Sequence, residues 1–423
     1  MRRTADRDQA VRCKGFGSLI VFGLVGASLM IGTGSVFAAP LFSPLDPPRG
    51  MTVERVVMLF RHGVRAPIDG EASLDADRPW PQWSTQPERL TPHDHAAMRR
   101  LGRFDRALFV REGLLDPQHC PMAQDLSIWT NIAERTIESG QGLAEGLAPD
   151  CAISVGHNPL DQSDPLFDPT ASAPFDAATA LASIQADTGG VDHLVATHRA
   201  DFKVLAAILG CPKRAAACAI CGQPSSLSPS ADGRGLSLDG PIRPAAGTAQ
   251  VLLLEYAEGL RLDRVGWGRA TPARIAQIAR LHALQLEIFY RAPYMARRWA
   301  WAMGPKIAGL LDDPNQKIAL LVGHDDNVVA LTRVLGVHIR LPGYGADDPP
   351  PGSALGFEVL RDQASGRRFV RLFYQSQSLQ QLRRLTPLGV ARPPLVVTLH
   401  PKCAGGPEGL CPLSTVQSML RPT

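Results

Sequence analysis

Two short apolar runs in this chain each end in a polar turn that carries a histidine. The run 56–60 (Val-Val-Met-Leu-Phe) leads into the segment 61–67 (Arg-His-Gly-Val-Arg-Ala-Pro). The run 318–322 (Ile-Ala-Leu-Leu-Val) leads into the segment 323–327 (Gly-His-Asp-Asp-Asn). Short apolar runs bounded by turn residues are typical of buried strands. Ligands of open α/β sheets bind beyond the carboxyl ends of the strands, so the two distant turns are predicted to share one pocket.

A third segment fits the same edge of the predicted sheet. The apolar stretch 126–129 is followed by Asn131, and a helical pattern that carries Arg135 runs on to Leu147. The helical pattern begins with a cation near its amino end, which is unfavourable for the helix dipole and therefore favours a bound anion there. A first-turn surface residue is the alternative for Arg135.

Strand and helix patterns alternate in two regions of the chain, and the segment between them has a different sequence pattern. In this segment the pattern predicts a loop at 157–176 and helical structure at 181–208 and 250–260. Residues 212–245 are rich in Gly, Pro, Ser and Ala. We therefore predict an α/β core formed by residues 39–156 and 261–423. A smaller, mainly α-helical domain formed by residues 157–260 is predicted to interrupt it.

The amino-terminal residues have the organisation of an export signal. Basic residues precede an apolar stretch from Gly15 to Ile31, and Val36-Phe37-Ala38 offers a cleavage site. A single-pass anchor is the alternative, but several Gly and Ser interrupt the apolar stretch. We expect residues 1–38 to be a signal peptide and the mature protein to be periplasmic or secreted.

Removing the leader changes the charge balance. The whole chain has a formal net charge of +4, and the leader holds five basic and two acidic residues, which leaves about +1. The basic precursor therefore gives no reason to expect a nucleic acid as partner, and no membrane association is expected after cleavage. The mature chain is long enough to bury a substantial core.

The chemistry of the first turn suits a phosphate ester. Arginine forks hold phosphate in bidentate geometry, and the imidazole of His62 between Arg61 and Arg65 can attack phosphorus. A basic surface turn is the alternative. The segment resembles the RHGxRxP signature of the histidine acid phosphatases at every fixed position. It is paired, as in that family, with a distant His-Asp, here His324-Asp325.

The resemblance extends over most of the chain, from about residue 53 to about residue 413. The segment 131–136 resembles the D-x-x-E-R-T element of the family, with Asn131 in place of the first Asp. Other stretches are similar to bacterial periplasmic phytases and acid phosphatases, namely 146–153, 164–167, 266–269 and 386–388. The resemblance implies a phosphoglycerate-mutase-like α/β core with an inserted helical domain.

The resemblance also implies roles for individual residues. His62 would be the nucleophile that forms a phosphohistidine, and Asp325 would protonate the leaving group. The phosphate would be held by the remaining cationic and imidazole groups, which are Arg61, Arg65, Arg135 and His324. Neither a metal nor a cofactor is expected, since the arginines would act as the charge clamp. Asp326 departs from the family, and we expect one of the adjacent carboxyls Asp325 and Asp326 to keep its proton at higher pH.

The candidate substrate-binding residues differ from those of the related phytases. These candidates are Ile68, Asp69, Gln250, Asp326 and Asn327. Ile68-Asp69 stands where those phytases carry Thr-Lys, and Gly247 and Gln250 align with a Met and a Glu. A carboxylate at the pocket mouth repels a highly charged substrate. We therefore expect a broad acid phosphatase whose substrate is a small phosphate monoester, with phytate accepted modestly at best.

Four alternatives stay open at this point. The chain could be a dedicated phytase or a glucose-1-phosphatase-like enzyme. A phosphoglycerate-mutase-like enzyme would lack the export signal and the His-Asp acid. A phospho-ligand-binding protein without activity would be expected to lose His62 or Asp325, and both are present.

Cysteine usage agrees with an exported protein. Of eight cysteines, Cys13 would leave with the leader, and seven would remain. The family resemblance implies three disulfides, namely Cys120–Cys151, Cys211–Cys221 and Cys403–Cys411, and leaves Cys218 free. A zinc site formed by Cys211, Cys218 and Cys221 is a weaker reading, because no His lies nearby at ligand spacing.

Overall fold

The structure is a computed structural model that describes residues 46–211, 218, 220, 224–403 and 406–421. The expected signal peptide (1–38) and Cys221 lie outside the described residues. Among the described residues, no helix has both the length and the apolar character needed to cross a bilayer.

The described part of the chain alternates strands and helices. The strands are β1 (Met51–Arg61), β2 (Leu126–Thr130), β3 (Val155–Gly156), β4 (Ser226–Pro229), β5 (Leu236–Asp239), β6 (Ile318–Gly323), β7 (Ala354–Asp362), β8 (Arg368–Ser376), β9 (Leu395–Leu399) and β10 (Cys411–Pro412). The α-helices are α1 (Pro92–Arg111), α2 (Glu134–Leu147), α3 (Ala177–Thr188), α4 (Val191–Thr197), α5 (Arg199–Leu209), α6 (Ile242–Ala257), α7 (Pro272–Leu286), α8 (Pro293–Trp299), α9 (Met303–Leu310), α10 (Asp325–Val334), α11 (Leu379–Arg384) and α12 (Leu413–Met419).

A mixed sheet forms the centre of the fold. Its strands lie in the order β10-β8-β7-β1-β6-β2-β3, and β9 pairs with β8. The strands β1, β6, β2 and β3 run parallel to their neighbours in this group, and β7 lies antiparallel to β1. Every residue of β6 is buried, which explains its unbroken apolar sequence, since a central parallel strand is covered on both faces.

Alternate side chains of the central strands enter two different cores. Val57 and Leu59 of β1 belong to a large cluster with residues from α5 to α10. Val56, Met58 and Phe60 belong to a second cluster with residues from α1 and α2. This alternation follows from the strand period of two and places helices on both faces of the sheet. The predicted α/β layering is therefore present.

The segment 157–260 is mainly helical, with differences from the sequence reading. The stretch 181–208, expected as one helical region, is divided into α3, α4 and α5, with a break at Gly189 and Gly190, whose φ values are positive. The Gly- and Pro-rich region contains an antiparallel hairpin of β4 and β5. Because buried residues of this segment share one cluster with the sheet, the inserted-domain boundaries stay a prediction.

Two of the three expected disulfides are present, and the third is paired differently. Cys120–Cys151 and Cys403–Cys411 are bridged as expected. The expected Cys211–Cys221 pair is wrong in this structure, where Cys211 is bridged to Cys218. The Cα atoms of Cys211 and Cys218 lie 5.9 Å apart, within the usual range for a bridge, and the buried Cys218 is therefore not the free thiol.

Several carboxyl groups of the helices are buried or half-buried. Burial raises the pKa of Asp94 to about 8 and that of Asp105 to about 7. Burial likewise raises the pKa of Glu255 to about 8 and that of Glu258 to about 7. In the folded protein these groups keep their protons at pH values where the unfolded chain ionises them.

The raised pKa values of these carboxyl groups predict that the free energy of unfolding falls between about pH 6.5 and pH 8. A carboxyl whose folded pKa is raised weakens the folded state as pH rises toward that pKa, by up to about 1.4 kcal/mol per pH unit. Burial lowers the pKa values of His62 and His324, which acts in the opposite direction, but only up to their unfolded pKa near 6.5. Thermal unfolding at both pH values measures the effect.

The variant Asp94→Asn is the control for this prediction. It removes one raised carboxyl, so its unfolding midpoint should decline less between the two pH values than that of the wild type. A wild-type midpoint that rises over this interval would contradict the prediction.

Candidate active site

The pairing of three parallel strands brings the three predicted motifs to one edge of the sheet. Arg61 at the end of β1 lies opposite Gly323 of β6, and Thr130 of β2 lies opposite Val322. The hydrogen bonds continue one residue further, because the His62 amide donates to the Gly323 carbonyl at 2.9 Å and the Asn131 amide donates to Val322 at 2.9 Å. The expectation of one shared pocket is therefore met by the register of β6.

A cavity of about 470 Å³ opens at this edge. Its volume is in the range of small-molecule sites. It is lined by Arg61, His62, Arg65, Ile68, Asn131, Ile132, Arg135, Ser163, Asp164, Phe167, Asp168, Thr170, Ala171, Trp299, His324, Asp325 and Asp326. All six predicted catalytic residues thus border one space.

The imidazole of His62 has a defined tautomer. Its Nδ1 lies 2.7 Å from the Gly63 carbonyl oxygen, which can only accept, so Nδ1 carries the proton and Nε2 holds the free lone pair. Burial and the positive charges of Arg135, Arg61 and Arg65 lower the pKa of His62 well below its ordinary value. His62 is therefore an unprotonated nucleophile even in acid.

Two arginines of the signature are fixed by carboxylates. Arg61 is almost fully buried and contacts Asp325 Oδ2 at 2.8 Å. Arg65 forms a bidentate pair with Glu71 at 2.7 and 2.8 Å. A bidentate pair fixes the plane of the guanidinium, and the N–H groups that Glu71 leaves unused can still meet an anion.

The cation Arg135 and the neutral imidazole of His324 also line the cavity. Arg135 lies in the first turn of α2, and its guanidinium lies 3.6 Å from the Glu88 carboxylate. The side chain of His324 lies 3.0 Å from Asn131 Oδ1, to which its Nε2 donates. Asn131 also donates to Asp164 at 2.9 Å. Asn131, which stands where the family has an Asp, therefore links His324 to Asp164.

The turn that carries His324 and Asp325 packs so closely that only a glycine fits at position 323. A Cβ there would lie 2.4 Å from Asn327 Oδ1 and 2.5 Å from Phe167 Cδ1. Asn327 accepts from the His324 amide at 3.0 Å and donates to the Phe167 carbonyl at 2.7 Å. The orientation of the His-Asp turn depends on these contacts.

The adjacent carboxyls Asp325 and Asp326 have opposite shifts in pKa. Burial acts to raise the pKa of Asp325, but the positive charges of Arg61 and His282 outweigh it and lower the pKa. Burial and the negative charge of Asp325 raise the pKa of Asp326 well above its ordinary value. With no ligand bound, Asp326 is thus the carboxyl that keeps its proton, as expected for one member of the pair.

The predicted substrate-binding residues are not all brought together. Ile68 and Asp326 line the cavity. Asp69 lines a neighbouring cavity, which shares Ile68 with the first. Gln250 is buried in α6 and Asn327 is buried beneath the turn, and neither borders the site.

Several functional candidates were missed by sequence reasoning. Asp164, Phe167 and Asp168 follow β3 and form one wall, and Trp299 at the end of α8 forms part of another. The segment 164–167 was noted for its resemblance to the family, but the resemblance did not assign a role to any of its residues. Glu71 gave no signal at all, because its pairing with Arg65 is a tertiary contact.

The glycine of the signature predicts a steric test. A Cβ at Gly63 would lie 1.6 Å from Asp94 Oδ2 and 2.8 Å from Asp94 Cγ. We expect Gly63→Ala to destabilise the protein by roughly 1–3 kcal/mol through overpacking and to reduce turnover, because His62 is adjacent. Denaturant unfolding and phosphatase assays measure the two effects.

A double variant separates steric conflict from other causes. Asp94→Ala in the Gly63→Ala background should recover most of the loss, which would appear as a favourable coupling energy. Gly309→Ala is the control, since a Cβ there has open space. Equal losses in the single and double variants would contradict the proposed conflict.

Comparisons with known proteins agree with this geometry. The model of the histidine phosphatase superfamily (branch 2) matches residues 52–174. Phytase AppA of Escherichia coli K12 is 32% identical over 395 residues, which cover 86% of this chain and 90% of the relative. A glucose-1-phosphatase of Providencia rettgeri is 26% identical over 399 residues and covers 90% of this chain and 94% of its own length.

Solved structures give the same result for the fold. The apo form of Hafnia alvei phytase has a TM-score of 0.83 at 29% identity and covers 89% of this chain and 97% of its own. The same phytase in complex with myo-inositol hexakis sulphate has a TM-score of 0.81. These similarities confirm the predicted α/β fold class and the predicted family. This chain belongs to the histidine phosphatase superfamily, branch 2, and is a phosphatase.

Proposed function

We propose that this phosphatase hydrolyses phosphate monoesters through a phosphohistidine on His62. The observation that carries the proposal is the neutral Nε2 of His62 in a cavity lined by Arg61, Arg65 and Arg135. A neutral imidazole beside three guanidinium groups is an available nucleophile in a site that attracts a phosphoryl dianion.

The reaction has two steps. Nε2 of His62 attacks phosphorus in line while the bond from phosphorus to the ester oxygen breaks. The arginines stabilise the charge on the equatorial oxygens, and the neutral imidazole of His324, whose Nε2 proton goes to Asn131, borders the same space. Asp325 gives its proton to the leaving oxygen, and a water that Asp325 deprotonates then attacks the phosphohistidine.

The low pKa of Asp325 in the ligand-free site is compatible with this role. Its pKa is lowered mainly by Arg61. A bound phosphoryl dianion offsets the charge of that arginine, so the pKa of Asp325 rises when substrate is present. Asp326 holds a proton already, but its Oδ1 accepts from the Asn327 amide at 2.6 Å. The motif position and the contact with Arg61 favour Asp325 as the acid.

Export is part of the proposal. The amino-terminal leader and the three disulfides of the described residues support a periplasmic or secreted protein, because structural disulfides persist in oxidising compartments.

The substrate class follows from the distribution of charge. The cavity has cationic groups around His62, while Asp164, Asp168 and Asp326 contribute carboxyl groups to other parts of its lining. Ile132 and Trp299 add apolar surface. This lining favours a monoester with one phosphate and an uncharged or apolar leaving group. A dedicated phytase is the second candidate, supported by the 32% identity to Phytase AppA.

The nucleophile is tested with His62→Ala. Turnover of 4-nitrophenyl phosphate should fall by roughly 10⁴-fold or more, the scale on which covalent nucleophiles act. Rapid acid-free quenching of the wild type should yield acid-labile protein-bound phosphate, and the variant should yield none.

The matched control for this test is His119→Ala, since His119 is an exposed histidine. It should retain wild-type turnover. Substantial turnover in His62→Ala, or a wild type that never carries phosphate, would overturn the proposed mechanism.

The substrate class is tested with Asp69→Lys. Replacing a carboxylate beside the cavity by an ammonium should improve phytate hydrolysis relative to 4-nitrophenyl phosphate, by roughly 3- to 10-fold in kcat/KM. The gain should shrink at high salt, since it is electrostatic and solvent-exposed.

Asp116→Lys provides the same change of charge at the other end of the sheet, in the loop that leads into β2. It should leave the ratio of the two substrates unchanged. A wild type that already prefers phytate strongly over small monoesters would favour the dedicated phytase instead.

A further inference from the structure

A second buried histidine lies behind the proposed acid. His282 in α7 is about nine-tenths buried and does not line the substrate cavity. Its Nδ1 lies 2.7 Å from Asp348 Oδ1, and its Nε2 lies 3.9 Å from Asp325 Oδ2. Because the Asp348 carboxylate accepts from Nδ1, the other ring nitrogen is directed to Asp325.

The surroundings of His282 stabilise its charged form. Asp348 faces it from the loop before β7, and Asp325 faces it from the start of α10. Arg61 from β1 opposes this effect, and Glu71 from the loop after β1 is paired with Arg65. Although burial acts to lower the pKa of His282, the carboxylates of Asp348 and Asp325 raise it above the ordinary value.

Arg61 connects the same groups from the other side. Its guanidinium contacts Asp325 and also donates to the carbonyl of Pro349, the residue after Asp348. Asp325 therefore lies between a permanent cation and an imidazole that can release its proton. Of these two cationic neighbours, only His282 can change its charge in the pH range of an acid phosphatase.

We propose that His282, held by Asp348, is a positioning residue that supplies Asp325 with the proton for the leaving group. The inference rests on the proposed function and deepens it. The separation of 3.9 Å exceeds a hydrogen bond by roughly 1 Å, so a small side-chain movement brings Nε2 and the carboxylate into contact.

The proton balance closes over one turnover. The Nε2 proton of His282 passes to the Asp325 carboxylate, and Asp325 gives it to the leaving oxygen as the bond to phosphorus breaks, which leaves Asp325 as a carboxylate. His282 then is neutral and still donates from Nδ1 to Asp348. When water attacks the phosphohistidine, Asp325 takes the water's proton, and His282 recovers its charge from Asp325 after phosphate has left. No other reactant is needed.

The test compares two leaving groups in His282→Gln. Glycerol 2-phosphate needs a proton on its alkoxide, whereas 4-nitrophenyl phosphate does not. The kcat for glycerol 2-phosphate should fall by roughly 10- to 100-fold, while that for the aryl ester stays within about 2-fold. Protein-bound phosphate should still form from the aryl ester after a rapid quench.

Asp348→Asn gives a second measurement that does not depend on removing the ring. Without the carboxylate the imidazolium is less stable, so the basic limb of the kcat profile for glycerol 2-phosphate should move to lower pH. The acidic plateau should stay close to that of the wild type. If His282→Gln does not fold, this shift alone decides, and an unchanged basic limb overturns the proposal.

His198→Gln is the matched control, because His198 forms a similar pair with Asp201 at 3.0 Å in the helical segment. It should leave both substrates and the pH profile unchanged. Equal losses on both substrates in His282→Gln, or behaviour like the control, would make His282 a purely structural residue. A wild type without protein-bound phosphate would instead refute the proposed function, so the two failures are distinguishable.

Discussion

The parallel pairing of β1 and β2 with the two sides of β6 is the constraint on which the site depends. Carbonyl groups at the end of β6 accept from the amides of both His62 and Asn131, so one strand fixes the start of two loops. The third loop continues β6 itself through His324. A shift of one residue in either pairing would turn these side chains to the opposite face of the sheet. The buried, apolar faces of β6 prevent such a shift.

Burial determines the protonation states on which the chemistry relies. His62 and His324 stay neutral because they are desolvated among arginines, whereas a solvent-exposed histidine would be protonated in acid. The same desolvation acts in the opposite direction on Asp94, which remains uncharged beside the signature loop. An acid phosphatase needs a basic nucleophile at a pH that favours protonated imidazole. A closed cationic pocket is a physical solution to that conflict.

The sequence predicted those features that depend on local pattern. The strands around residues 56–60 and 318–322 followed from unbroken apolar runs, and their convergence followed from the geometry of parallel sheets. Features that depend on tertiary contact were not predictable. Glu71 and His282 carry no local signature, and their partners lie on other elements or beyond a turn.

Two predicted substrate-binding residues, Gln250 and Asn327, do not line the cavity. Gln250 was assigned to the substrate because it aligns with a Glu of the related phytases, and Asn327 because it follows the His-Asp pair, but neither argument fixes which way the side chain points. Asn327 instead bonds the backbone of its own turn, and Gln250 is buried within α6. The pairing of Cys211 with Cys218 could not be predicted either, because three cysteines close together in the sequence allow several bridges.

The cavity separates two tasks by charge. Around His62 the arginines attract one phosphoryl group, and each is partly neutralised by a carboxylate of the protein, namely Asp325, Glu71 or Glu88. Such partial neutralisation keeps the cations in place without a ligand, so little reorganisation is needed when phosphate enters. The acidic residues Asp164, Asp168 and Asp326 in the lining offer no comparable attraction to a second phosphate. For the small monoester proposed above, contacts beyond the phosphate would come from Ile132 and Trp299, and contact with apolar surface is tolerant of shape. Under the proposed function, a site with this lining specifies the phosphate strictly and the leaving group loosely.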